Sequence, residues 1–273
     1  MGRDGSAVEI PESATAPVGY ERLDGDVPVL HPPRLSERAR EVQGRLTQGY
    51  GALAEILAVE PPELRAMLIA AEDWNRAPRE NEHPYPPGLP YFTRSTHPPT
   101  LVLPETLSPA FRPRTEATLP LTVWHELAHA FLLQREVVRT PAWLREFVPQ
   151  AAAAAVARRV GLPLEDHLSR AEDAGFTIRG FEELASAGDQ MSFQNLLLRL
   201  GAAALEEFGE GFLKRLFRAL WEEDRIVDEE RAEELLAGAL GSGGRRWLES
   251  RPEFQGENMR NTISKNGQGA EIS

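Results

Sequence analysis

Apolar residues mark out the chain's elements before any other property is considered. Within residues 35–59, Leu46, Tyr50, Leu53 and Leu57 recur at helical spacing, and Pro61 and Pro62 close the segment, so the pattern predicts one amphipathic helix. The short apolar run Leu64 to Ala70 reads as a buried strand, with a helical turn as the alternative. Proline crowds residues 77–99, where Pro86-Pro87-Gly88 signals a turn. Two strand candidates follow, Tyr91-Phe92-Thr93 and Thr100-Leu101-Val102-Leu103. Pro104 closes the second and suits an edge strand better than a central one. From Pro120 onward the pattern is helical, in segments near 120–135, 142–160, 164–173, 178–187, 191–207, 209–223 and 228–240. Residues 1–34, rich in Pro, Gly and acids, read as a flexible arm, and residues 252–273 as a disordered tail.

Composition narrows the function classes. The 273 residues carry 30 Lys and Arg against 42 Asp and Glu, a formal charge of −12, with no basic run to offset it. Such a chain repels phosphate backbones, so nucleic acid is not an expected partner. At 41% hydrophobic and 7% aromatic residues it has the material for a real core. It has no cysteine, which removes disulfides, thiolate zinc ribbons and cysteine nucleophiles. No stretch approaches the ~20 apolar residues of a membrane span. The first 30 residues lack a basic-then-apolar signal, so a cytoplasmic protein with no membrane partner is expected.

The chemistry-bearing segment is Val123-Trp124-His125-Glu126-Leu127-Ala128-His129-Ala130. On a helix His125 and His129 stand one turn apart on one side, within reach of a single metal ion. Glu126 points partly to that side, where it can touch a metal-bound water. Leu121, Trp124, Leu127, Ala128, Phe131 and Leu132 surround the motif with apolar bulk, so its polar groups need partners, and zinc is the simplest. The alternative is a pair of hydrogen-bonded core histidines with Glu126 paired to an arginine. For a third ligand, His167 lies on a charged segment and reads as solvated. Glu146, in Pro141-Ala142-Trp143-Leu144-Arg145-Glu146-Phe147, is the better candidate, because a lone acid between Leu144 and Phe147 sits in apolar surroundings. Its alternative is a surface acid beside Arg145.

His125-Glu126-Leu127-Ala128-His129 followed by Trp143-Leu144-Arg145-Glu146 resembles the gluzincins, thermolysin-like zinc metallopeptidases, and most of all their small bacterial peptidase domains. The likeness extends weakly over residues 60–250. It implies an α+β fold: a small, mostly antiparallel sheet packed on a zinc-binding helix, then an all-helical C-terminal subdomain. On that plan residues 35–140 form the first subdomain with the zinc helix and 141–251 the second with the third ligand. It also implies that His125, His129 and Glu146 bind Zn²⁺, that Glu126 is the general base in peptide-bond hydrolysis, and that a peptide or protein substrate adds a strand along Thr100, Leu101, Val102 and Leu103. Gln150 is placed to hold the second nitrogen of a ligand histidine.

Three departures from the family pattern accompany this. Phe147 stands where a small Gly usually follows the third ligand, which sets a large ring beside the cleft. Pro149 predicts a kink or restart of the second helix. All four tyrosines, Tyr20, Tyr50, Tyr85 and Tyr91, precede the zinc helix, and Phe193 stands where an oxyanion-stabilising Tyr is expected; His97, Tyr91 and His167 are the candidate substitutes. The rival expectation is therefore a zincin-like protein of weak or no activity, in which zinc is structural and the cleft binds a peptide or protein partner.

Overall fold

The structure is a computed structural model describing residues 17–80, 86–135, 139–171, 176–179 and 186–255. It is an α+β protein whose chain divides into two compact units, one of residues 1–44 and 63–107, the other of residues 45–62 and 108–273. Tyr85, most of the helix expected over 178–187, the arm before residue 17 and the tail beyond 255 lie outside the described residues.

The first unit is built on a five-stranded sheet. Strands β1 (Glu21–Leu23), β2 (Val29–His31), β3 (Arg65–Ile69), β4 (Tyr91–Thr93) and β5 (Thr100–Pro104) take the order β1-β2-β3-β5-β4. The outer pairs β1–β2 and β4–β5 are antiparallel and the inner pairs β2–β3 and β3–β5 parallel, so the sheet is mixed rather than mostly antiparallel. The reason lies in the connections: helix α1 (Ser36–Leu57) lies in the chain between β2 and β3 and gives the return that a parallel pair needs. Residues 20–31, expected in a flexible arm, supply β1 and β2. Their strands are short, and three-residue alternation is too brief a pattern to stand out beside Pro and Gly. The unbroken apolar runs of β3 and β5 are what strands flanked on both sides require. Below them Met67, Ile69, Trp74, Ala77, Tyr91 and Val102 form a core, with Trp74 edge-on to Tyr91 at 6.0 Å.

The second unit takes the C-terminal part of α1 and then α2 (Thr118–Leu132), α3 (Ala142–Arg159), α4 (Glu165–Arg170), α5 (Ala187–Phe208), α6 (Gly211–Glu222), α7 (Glu229–Leu240) and α8 (Gly244–Glu249). The expected boundary at 140/141 is corrected: α2 packs on α3 and both belong to this unit. The tail also begins later than expected, since Pro252–Phe254 form a 3-10 turn and buried Phe254 stands edge-on to Trp143. Ser186 and Asp228 start α5 and α7 by accepting the backbone N–H groups of Asp189 and Arg231, as capping residues do. No helix among the described residues is long and apolar enough to cross a membrane.

Candidate metal centre

Helix α2 is apolar on nearly every side. Only Leu119 and His129 of its residues are not buried, so the protein closes around it. Pro120 falls in its first turn, where a missing N–H costs nothing. Two contacts fix its rotation. The Trp124 indole N–H donates to the Arg45 carbonyl at 2.8 Å, and the ring lies over Gly49, where a Cβ would come within 2.4 Å of it. Phe131 meets Tyr50 edge-on at 6.0 Å. With those residues turned toward α1, His125 and His129 face α3.

Helix α3 brings Glu146 to them. It runs unbroken through Pro149, so of the kink or restart expected there the restart is absent. The proline removes one hydrogen bond to the Arg145 carbonyl, a cost offset by burial of the segment from Phe147 to Ala157. Phe147 does not stand beside a cleft. It is fully buried against Phe212, with ring centroids 6.4 Å apart.

The donor atoms converge. His125 Nε2 and His129 Nε2 are 3.1 Å apart, and Glu146 Oε2 is 3.3 Å from the first and 3.6 Å from the second. Among the described residues these three alone form such a group, and their side chains are 11%, 17% and 23% exposed. A four-coordinate cation with bonds of about 2.0–2.1 Å sets its donors about 3.3 Å apart, which the three edges bracket. Two imidazole nitrogens and one carboxylate oxygen suit a borderline divalent ion such as zinc better than calcium or magnesium, which take oxygen alone. The group is thus placed to bind a metal ion.

Electrostatics agree with a shared cation. Burial opposes charge on His129, yet the Glu146 carboxylate overcomes it and raises the proton affinity of the imidazole. Burial likewise pushes the Glu146 carboxyl up, but the two histidines outweigh it and hold it well below the usual range. Glu126, buried next to the ligands, is pushed up by desolvation, with the histidines opposing.

The structure redistributes the remaining expectations. Gln150 does not reach a histidine: its amide N–H donates to Gln194 Oε1 at 2.7 Å, and His125 Nδ1 is buried without a partner among the described residues. Gln194, which sequence reasoning passed over, donates to Glu146 Oε2 at 2.7 Å. The polar pair Gln194-Asn195 between Phe193 and Leu196 was its only local signal. Thr100, Leu101, Val102 and Leu103 are not an edge strand: β5 is paired on both sides, and β4 holds the edge. Pro104 is compatible with an inner strand because it ends β5. His167 is buried rather than solvated, bonded through Nδ1 to Thr115 Oγ1 at 2.8 Å. The Tyr91 hydroxyl donates to the Pro78 carbonyl at 3.0 Å, and His97 is exposed in the turn after β4. Phe193, in the place of the expected tyrosine, is buried against Phe176 at 6.2 Å. The chain matches no protein-family model, and comparison with curated proteins finds no relative.

Proposed function

We propose that the protein is a zinc-dependent metallopeptidase. The observation that carries the reading is the triangle of His125, His129 and Glu146 donors with buried Glu126 directly beside it on α2. His125, His129 and Glu146 would hold Zn²⁺. When bound, zinc supplies a Lewis acid that brings the pKa of a water toward ~7 and polarises a peptide carbonyl. Glu126 takes the proton from the attacking water and returns it to the amine nitrogen as the C–N bond breaks. Its raised proton affinity suits that task, because a base that must release its proton works best with a pKa close to the working pH. Buried His125 and half-buried His129 on α2 would hold the ion within reach of Glu126.

The test is hydrolysis of a mixed fluorogenic peptide library by zinc-loaded protein, with Glu126→Gln as the blank. Cleavage should fall by at least ~10²-fold in the variant, with zinc content and Tm unchanged. A wild type that holds one zinc per chain and cuts nothing would sink the peptidase reading. The second reading, zinc as a structural pin in a peptide- or protein-binding protein, would then stand. It is favoured by one observation: the side chains of Tyr91 and His167, two of the candidate oxyanion donors, are already engaged elsewhere.

A further inference from the structure

Glu146 and Gln150 stand one turn apart on α3, and Gln194 reaches between them from α5. The two amides form a directed chain: Gln150 Nε2–H to Gln194 Oε1, then Gln194 Nε2–H to Glu146 Oε2, each 2.7 Å. Glu146 Oε2 is also the oxygen that faces both histidines. α5 is held to α3 by a close approach at Gly201, where a Cβ would lie 2.8 Å from Ala151 Cα. The backbone carrying Gln194 is therefore fixed, and the freedom left to that side chain is which end of its amide meets the carboxylate.

We propose that Gln194 is a positioning residue for the metal ligand Glu146, and that Gln150 secures its amide by donating to the amide oxygen. This rests on the metal-site reading above. An amide is neutral, so it braces the carboxylate and leaves the full negative charge to a dication, which a lysine or arginine there would repel. Turned over, the same amide would set its oxygen against the carboxylate and unseat it. The Glu146 carboxylate can only accept and so takes the Gln194 N–H, and Gln150 secures that setting by donating its own N–H to the Gln194 oxygen.

The experiment measures Zn²⁺ affinity by competition titration, and the Co²⁺ absorption spectrum, for wild type, Gln194→Met, Gln150→Met and Gln150→Glu, with folding checked by circular dichroism. Gln194→Met keeps the shape and loses the donor, and its affinity should fall 10- to 100-fold. Gln150→Glu presents only acceptors, so Gln194 turns its N–H toward residue 150 and away from Glu146. That variant should lose as much affinity as Gln194→Met and shift the Co²⁺ spectrum, although Gln194 is intact. Gln150→Met, which only releases the amide, should lose less. A purely packing role predicts no such ordering. A wild type that binds no divalent ion overturns the metal site and the relay with it. If wild type binds while Gln194→Met and Gln150→Glu bind equally well, the relay alone is overturned. Should Gln194→Met fail to fold, the ordering of the two Gln150 variants decides.

Discussion

Glu146 and Phe147 are neighbours in sequence and about 100° apart around a helix, and that angle separates a ligand from a core residue. One turns to the histidines and the other to Phe212. The same rotation decides His167. Its neighbours Glu165 and Asp166 are exposed while the imidazole is buried on Thr115. Burial lowers its proton affinity against the opposing charge of Asp166, so the fold holds it neutral. An unfolded chain takes up that proton below an ordinary value near 6.5, so this contribution to stability is complete above that pH and is lost as pH falls through it. His167→Gln should therefore show a smaller drop in Tm than wild type between pH 7.5 and 5.5. An equal drop in the two proteins would mean that His167 is not the titrating group. His125, Glu126 and His129 were legible in the sequence because a single helical turn sets their relation. Gln194 was not, because its place depends on where α5 crosses α3.

Among elements, the strands and helices were legible where they are long and periodic, and illegible where the partner matters more than the segment. Thr100 to Pro104 reads as a strand from its own residues, but its place inside the sheet depends on two strands before it, nearby β4 on one side and the more distant β3 on the other. A terminal proline carries no information about that order. The same holds for the α3–α5 contact. A glycine in the middle of a helix reads as a weakness, yet Gly201 is what allows the Ala-rich face of α3 to approach. Gly201→Ala should destabilise by about 1–3 kcal/mol in urea titration, since the atoms it meets are backbone and Cβ and cannot swing aside. The same variant should weaken zinc binding by moving Gln194 off Glu146. Wild-type affinity in a folded Gly201→Ala protein would show that the helix spacing does not govern the ligand.

On the scale of the whole molecule, the three ligands come from two helices of one unit, so a bound ion ties α2 to α3 and its binding energy becomes folding energy. At a hundredfold excess of zinc over Kd this is about 2.7 kcal/mol, and chelation should lower Tm by roughly 5–10 °C. His129→Ala should show no response to chelator. An unchanged Tm in chelated wild type would argue that the ion bridges nothing. The unit that holds the site is also assembled from two separated stretches of chain. Gly49 and Arg45, which seat Trp124, are parted from it by all of β3 to β5. The centre therefore cannot be lifted out as one contiguous segment. A transplant beginning at residue 108 would carry every ligand and leave behind the helix that aims two of them, so in this fold a portable motif and a portable site are different things.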